Sequence, residues 1–147
     1  LLSVNSSFFI LPVEDLGDLD AITNYARLKG LQIALCRDAA ALEPQRFRVV
    51  ADALYGTGFH GSLRPAGRAA CALIHCAHEA GAFVLALDLP SGIATDTGEV
   101  AEGAVSADLT VTFDSYKPLH AAKNSAVYCG EIVCADIGIR CLDDARA

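Results

Sequence analysis

Three polar residues follow short apolar runs, at the positions where strands of a sheet would end. Asp52 closes a β-branched and apolar run, Asp88 stands near the end of the apolar run Phe83 to Leu89, and Ser91 lies in the turn after it. A carboxylate at the end of an apolar strand costs desolvation energy unless it is paired or used. In a cleft, such a group serves in acid–base chemistry. Asp88 is therefore either a candidate catalytic residue or an acceptor of hydrogen bonds from the following turn.

A glycine-rich segment separates the first of these runs from a predicted helix. The glycines of its G-x-G-x-x-G spacing let the backbone turn tightly and approach a ligand. The exposed backbone N–H groups can then bind a phosphate of that ligand. No acidic ribose partner follows at the usual distance, so a structural turn explains the segment as well as a phosphate site does. The candidate ligand-binding residues are Gly56, Thr57, Gly58, Phe59, His60, Gly61 and Ser62.

Two other kinds of site are weaker interpretations. The segment Pro90-Ser91-Gly92 is not the G-x-S-x-G elbow of a hydrolase, and no histidine stands at an obvious partnering position. Cys71, His75 and His78 would share one helical face, where a metal ion is conceivable. Small thiols packed on a buried helix in a reducing cytosol explain them better, since the six cysteines form no C-x-x-C pair. We therefore expect a cytoplasmic protein.

Size and composition indicate one globular domain. The chain has 147 residues, of which 53% are hydrophobic and 20% charged, which is enough to form a buried core. A formal charge of −7 without a basic cluster disfavours nucleic acid as a partner. No apolar run reaches membrane-spanning length, so we expect no membrane partner. The chain contains no Met, and we expect a processed chain or a fragment of a longer protein.

Predicted strands and helices alternate along the chain. Strands are predicted at 31–35, 48–54, 83–89, 109–113 and 130–137, and helices at 20–29 and 65–79, with a turn or short helix at 37–46. The second helix should begin near Pro65 and carry Leu73, Ala77 and Ala80 on one stripe. Loops are predicted for 96–107 and after Lys117-Pro118. The alternation predicts a Rossmann-like three-layer α/β/α sandwich with a mostly parallel sheet. Ligands bind such folds beyond the carboxyl ends of the strands.

Five segments together carry a resemblance to one family. They are D-A-L-Y-G-T-G-F (52–59), L-A-L-D-L-P-S-G-I-A-T-D-T-G-E-V (85–100), A-D-L-T-V-T-F (107–113), K-P (117–118) and A-D-I-G-I (135–139). Their order and spacing resemble those of NAD(P)H-hydrate epimerases, the YjeF N-terminal domain family. The match covers roughly 49–139, and the D-x-P-S-G segment is its most specific part.

The resemblance implies an isomerase that interconverts the R and S epimers of NADHX and NADPHX, using one bound K⁺ ion. By resemblance, Asp52 and Ser91 would be K⁺ ligands, and residues 56–62 with Asp88 would contact the hydrated dinucleotide. Such ligands suit the ion, which takes carboxylate, hydroxyl and carbonyl oxygens. We hypothesise that Asp88 transfers the proton and stabilises positive charge on the substrate. A homodimer and a fused NAD(P)H-hydrate dehydratase domain are compatible partners.

Two departures from the family pattern affect this expectation. Its earlier strand and N-N-G-G-D-G loop, which supplies another K⁺ ligand, do not occur here, and Lys117-Pro118 is followed by Leu119-His120 where members usually have glycine. We therefore expect residues 1–147 to form this domain without its first strand and that loop, and to epimerise poorly or not at all alone. The alternatives are a non-catalytic ligand-binding or scaffold module of the same fold, as in RNA-decapping scaffolds, and an unrelated Rossmann-type oxidoreductase.

Overall fold

The computed structural model describes residues 8–10, 34–36, 39–123 and 125–138, and the chain forms two compact units that meet at Glu43 and Pro44. In the first unit, β1 (Phe8–Ile10) pairs in parallel with β2 (Ala34–Cys36). The strand predicted at 31–35 thus overlaps β2. The helix predicted at 20–29 lies outside the described residues.

The second unit contains a four-stranded parallel sheet. Its strands lie side by side in chain order: β3 (Val49–Asp52), β4 (Phe83–Leu87), β5 (Leu109–Phe113) and β6 (Glu131–Ala135). Each overlaps a predicted strand, and β5 has the predicted bounds. Four parallel strands, with a helix connecting β3 to β4, confirm the α/β, Rossmann-like fold. The predicted turn region at 37–46 contains two short 3₁₀ helices, Ala39–Ala41 and Pro44–Arg46.

Helix α1 (Pro65–Glu79) connects β3 to β4 and has the predicted bounds. Proline suits the first position because its N–H would have no partner there and its φ is already helical. The predicted stripe is wrong in part, since Leu73 is only half-buried and Ala80 is exposed. Small residues face the sheet instead, which lets the helix pack closely. The buried positions are Gly67, Ala70, Cys71, Ile74 and Ala77.

Strand β5 turns its threonines, rather than its larger side chains, toward the buried face of the sheet. Thr110 and Thr112 are fully buried, and Thr110 Oγ1 donates a hydrogen bond of 2.7 Å to the Cys129 carbonyl. That carbonyl ends helix α2 (Ser125–Cys129), which lies where the sequence predicted a loop. A 3₁₀ helix, Pro118–Ala121, precedes it. Both elements are too short to give a periodic signal.

The long loop between β4 and β5 folds back over the end of β4. Residues 96–107 form neither helix nor strand, as predicted, apart from one antiparallel bridge between Ile93 and Val100. Val105 from this loop joins the main core, which contains Phe59, Leu63, Cys71, Ile74, Val84, Ala86, Val105 and Ala107. Within the described residues, no helix is long and apolar enough to cross a membrane.

Candidate functional site

Asp52 and Ser91 meet at the carboxyl ends of β3 and β4. The backbone N–H of Ser91 donates to Asp52 Oδ2 at 2.7 Å, and its hydroxyl donates to Asp52 Oδ1 at 2.5 Å. Both residues are fully buried. The backbone N–H of Tyr55, at the start of the glycine-rich segment, donates in turn to Ser91 Oγ at 3.1 Å. The two predicted K⁺ ligands therefore lie together, and they also anchor the loop after β3.

Gly92 fixes the turn that presents Ser91. Its φ is +92°, and a Cβ atom there would lie 2.8 Å from the Ala104 Cα atom. The loop therefore packs directly on this turn, where the N–H of Val105 donates to the Ser91 carbonyl at 2.8 Å. Only glycine combines this backbone conformation with so close an approach. The P-S-G spacing is thus explained by the geometry that holds Ser91 against Asp52.

The buried carboxylate of Asp52 has hydrogen-bond donors around it that only partly compensate for its loss of solvent. Burial raises the pKa of Asp52, and the hydrogen bonds from Ser91 and Leu54 only partly oppose this shift. No cationic side chain within the described part of the chain lies against this carboxylate. Burial and the nearby negative charge of Asp52 also raise the pKa of the Cys71 thiol to about 12. A buried carboxylate in such surroundings favours either a proton or a bound cation.

The donor atoms of this pair suit K⁺ better than a transition metal. They are carboxylate and hydroxyl oxygens, which are hard ligands. The described residues contain no cluster of three or more His, Cys, Asp or Glu side chains that could hold a metal ion. An ion that takes hydroxyl and backbone carbonyl oxygens would not need such a cluster.

Asp88 is placed by a strained turn directly after β4. Its φ is +69°, and the N–H of Leu89 donates to the Leu87 carbonyl at 2.9 Å, which closes a three-residue γ-turn. The N–H of Asp88 still donates to the carbonyl of Val111 on β5 at 2.8 Å. A γ-turn with positive φ is rare, and Asp tolerates this region better than most residues do. The turn fixes the backbone of Asp88, so the function of this residue depends on what its side chain contacts.

The two oxygens of the Asp88 carboxylate have different surroundings. Oδ1 accepts a hydrogen bond from Thr112 Oγ1 at 3.1 Å and contacts Lys117 Nζ at 2.7 Å. Oδ2 faces the glycine-rich segment, 3.8 Å from where a Cβ atom of Gly56 would lie. The carboxylate's partners within the described residues thus come from β5 and beyond, rather than from the turn at 90–92. One oxygen is held and the other is presented to the loop.

Lys117 is the residue of this site to which sequence reasoning gave no role. The Lys117-Pro118 dipeptide belongs to the family resemblance, but its partner lies on another strand and only the fold brings them together. Its side chain is 17% exposed and that of Asp88 20% exposed, so the ion pair is largely shielded from solvent.

The predicted ligand-binding segment 56–62 is a surface loop, apart from one residue. Phe59 is buried in the main core and packs its ring 5.2 Å from that of Tyr55, so a ligand would meet its backbone. The N–H of Phe59 donates to the Gly56 carbonyl at 3.2 Å, which forms a tight turn. The other six residues are exposed. The loop therefore presents its backbone and the side chains of Thr57, His60 and Ser62 at the sheet edge next to Asp88.

The face of α1 considered for a metal ion has other contacts. Cys71 is buried in the core, and it is one of four described cysteines that are free thiols. His75 Nε2 lies 2.9 Å from the Ala104 carbonyl, and His78 Nε2 lies 3.2 Å from Asp108 Oδ1. These contacts support the interpretation of a packed helix.

Comparison with known proteins gives a family and several relatives. The family model described as YjeF-related protein N-terminus matches residues 2–119. The chain is 39% identical over 133 residues to the bifunctional NAD(P)H-hydrate repair enzyme Nnr of Methanothermobacter thermautotrophicus, covering 86% of this chain and 25% of the relative. It is 36% identical over 121 residues to the NAD(P)H-hydrate epimerase of Pirellula staleyi, covering 81% of this chain and 52% of the relative.

A solved structure supports the same fold. The crystal structure of the yeast protein YNL200c superposes with a TM-score of 0.63 at 15% sequence identity, covering 88% of this chain and 52% of that one. At this identity the likeness concerns the fold alone. The chain spans about a quarter to a half of the length of these relatives.

Proposed function

The chain belongs to the family of the YjeF-related protein N-terminus, and on this premise we propose that it is an NAD(P)H-hydrate epimerase domain. It would interconvert the R and S epimers of NADHX and NADPHX, in the repair of damaged nicotinamide dinucleotides. The observation that carries the proposal is the position of the Asp88 carboxylate, whose Oδ1 contacts Thr112 and Lys117 while Oδ2 faces the glycine-rich loop. The chain is also 36% identical to a protein named NAD(P)H-hydrate epimerase.

The reaction requires the protein to transfer protons and to stabilise a positive charge on the substrate ring. The substrate's C6 hydroxyl belongs to a hemiaminal, so the ring nitrogen can expel it and form an iminium ion. Water then adds to the other face of C6. The departing hydroxyl must gain a proton and the incoming water must lose one. A single acid–base group returns to its starting state after both steps.

Asp88 fits this role, because its Oδ2 atom faces the loop where the substrate would lie. In its protonated form the carboxyl group would donate a proton to the leaving hydroxyl. The carboxylate so formed would stabilise the positive charge on the ring and then accept a proton from the incoming water, which restores the starting state. The exposed backbone of 56–62 would bind the dinucleotide. Phe59 would contribute through its backbone, since its side chain belongs to the core.

K⁺ is the proposed cofactor, as one ion held by Asp52 and Ser91. Support comes from the raised pKa of the buried Asp52 carboxylate and from the lack of a cationic partner among the described residues. A bound K⁺ would supply the positive charge that this carboxylate lacks. Ser91 links the ion site to the loop after β3 through the N–H of Tyr55, so occupancy of the site would stabilise the substrate loop.

Partners and location follow from the same premise. Relatives named bifunctional NAD(P)H-hydrate repair enzymes support a second, fused domain as a partner. We propose that this domain is an NAD(P)H-hydrate dehydratase, and we include a homodimer in the proposal. The free thiols of Cys71, Cys76, Cys129 and Cys134 support a reducing, cytoplasmic location.

The direct test is chromatographic. Purified protein is incubated with S-NADPHX or R-NADPHX in K⁺ buffer, and the two epimers are separated over time. We expect residues 1–147 to equilibrate the epimers slowly, but still faster than in a protein-free control. Binding of NADPHX with no acceleration would favour the non-catalytic ligand-binding module instead.

A further inference from the structure

Lys117 has an environment that assigns it a specific task within this site. It lies after β5, at the start of the 3₁₀ helix Pro118–Ala121. Its Nζ atom contacts Asp88 Oδ1 at 2.7 Å, Thr112 Oγ1 at 2.8 Å and the Phe113 carbonyl at 2.7 Å. An ammonium group has three N–H donors. All three of them therefore have an acceptor within the protein.

Because all three N–H donors of Lys117 are engaged, direct contact with the substrate is excluded and a role in holding Asp88 is supported. An ammonium group with all its donors engaged has none left for a substrate, so Lys117 does not act on the substrate directly. It instead completes the contacts of Asp88 Oδ1, together with the hydroxyl of Thr112. The other carboxylate oxygen, Oδ2, is then left to face Gly56 and the glycine-rich loop.

The backbone of Lys117 is fixed as firmly as its side chain. The N–H of Lys117 donates to His120 Nδ1 at 3.0 Å, and the N–H of His120 donates to the Lys117 carbonyl at 2.9 Å. His120 is buried, and burial lowers the pKa of its imidazole, which keeps Nδ1 free to accept this bond. The segment Lys117 to His120 is thus a closed turn that leads the side chain toward Asp88.

We infer that Lys117 is a positioning residue, which holds Asp88 by Oδ1 so that Oδ2 is the oxygen available to the substrate. The inference rests on the proposed function and adds a residue to it. The γ-turn at Asp88 fixes its backbone, but the carboxylate can still rotate about its side-chain bonds. Lys117 and Thr112 remove that freedom.

The test uses Lys117→Met, which keeps the length of the side chain and removes all three donors. We expect kcat for NADPHX epimerisation to fall roughly 10²-fold, as is typical when a reacting group is misplaced, with KM changed less than about threefold. Lys123→Met removes an exposed lysine six positions further along the chain and should behave as wild type. Thr112→Val removes one hydrogen-bond partner from Asp88 and one from Lys117. It should lower kcat by a smaller factor, and it replaces Lys117→Met in the test if that variant does not fold.

A double variant decides whether Lys117 acts through Asp88. If it does, Asp88→Asn with Lys117→Met should be no slower than Asp88→Asn alone, because the group being positioned is already lost. Losses that multiply would mean that Lys117 acts independently, and would overturn the inference. An unchanged kcat in both Lys117→Met and Thr112→Val would overturn it as well.

The crystal structure of Lys117→Met separates this inference from the proposed function. We expect the Asp88 carboxylate to rotate, so that Oδ2 no longer faces Gly56. If wild type does not epimerise NADPHX, the proposed function fails, and the rotation still decides the positioning role. A carboxylate that keeps its place without Lys117 contradicts the inference whatever the activity.

Discussion

Asp52 and Asp88 end or follow neighbouring parallel strands at one edge of the same sheet, yet their surroundings are opposite. Asp52 is fully buried and its contacts are two groups of Ser91 and the N–H of Leu54, none of them charged. Asp88 is partly exposed and contacts the ammonium group of Lys117. One carboxylate thus lacks a cation within the described residues, and the other has its own.

The difference indicates two separate tasks. A buried carboxylate whose pKa is raised by burial gains most from a bound cation, and the hydroxyl beside it is a ready second ligand. The negative charge of Asp88 is already balanced by the ammonium group of Lys117 at Oδ1, so no bound ion is required there. Its other oxygen, Oδ2, is available for proton transfer. Ion binding and acid–base chemistry are therefore divided between Asp52 and Asp88, and each prediction below tests that division.

The largest effect is expected at Asp88. Asp88→Asn keeps the shape of the side chain and tolerates the positive φ, but removes the proton acceptor. We expect kcat to fall on the order of 10²–10⁴-fold, as is typical for loss of an acid–base group. Tm should fall as well, because the shielded ammonium group of Lys117 loses its negative partner. Steady-state epimerisation kinetics and thermal unfolding measure both quantities.

A matched control lies on the next strand. Asp114 follows β5, has φ of +63°, and stands in the same kind of γ-turn, where the N–H of Ser115 donates to the Phe113 carbonyl at 2.7 Å. Its side chain is exposed. Asp114→Asn should therefore leave kcat unchanged. An equal loss in both variants would mean that the turn matters rather than the carboxylate of Asp88.

The second effect is stabilisation by K⁺, which should depend on Asp52 and not on Asp88. A ligand that binds only the folded state at 100 times its Kd raises the free energy of unfolding by about 2.7 kcal/mol. We expect wild type and Asp88→Asn to be stabilised by K⁺ over equal concentrations of a large organic cation, as measured by denaturant unfolding. Asp52→Asn should lose this response.

The exposed carboxylate of Asp96 provides the control for that experiment, since Asp96→Asn should respond to K⁺ as wild type does. Stabilisation that survives in Asp52→Asn would place the ion elsewhere in the chain.

The smallest effect concerns pH and the turn that holds Lys117. Burial lowers the pKa of His120, so the unfolded chain binds its proton more readily than the folded one. The free energy of unfolding should therefore fall as pH drops below about 6.5, by about 1.4 kcal/mol for each unit of pKa difference, and level off below the folded pKa. Urea unfolding between pH 5 and 7, as a rough window, measures this slope.

Removing the imidazole isolates its contribution. His120→Gln should flatten the slope in this window, whereas His60→Gln, at an exposed position, should keep it. A slope that is unchanged in His120→Gln would assign the pH dependence to other groups.

The meeting of Asp52 and Ser91 could be predicted from sequence, although they are 39 residues apart. Asp52 ends one strand of a parallel sheet and Ser91 follows the next, and the carboxyl ends of such strands share one edge. Helix α1 was equally predictable, because proline at its start and glycine after its end give strong local signals.

The inward-facing threonines of β5 could not be predicted in the same way. Alternation identifies the strand, but a pattern alone would place the apolar side chains inward. Thr110 and Thr112 are tolerated there because the Cys129 carbonyl and the Asp88–Lys117 pair satisfy their hydroxyls. Those partners lie in α2 and at other strand ends, so only the tertiary structure reveals them. The role of Lys117 could not be predicted from the sequence for the same reason.

The division of tasks between Asp52 and Asp88 is tested most directly with Tl⁺, a heavier monovalent cation that can replace K⁺ and scatters X-rays anomalously. Crystals of the protein are soaked in a Tl⁺ salt, and an anomalous difference map is calculated. We predict a peak beside the Asp52 carboxylate and Ser91 Oγ, and none at Asp88, where Lys117 already supplies the positive charge. A peak at Asp88, or no peak at Asp52, would contradict the account.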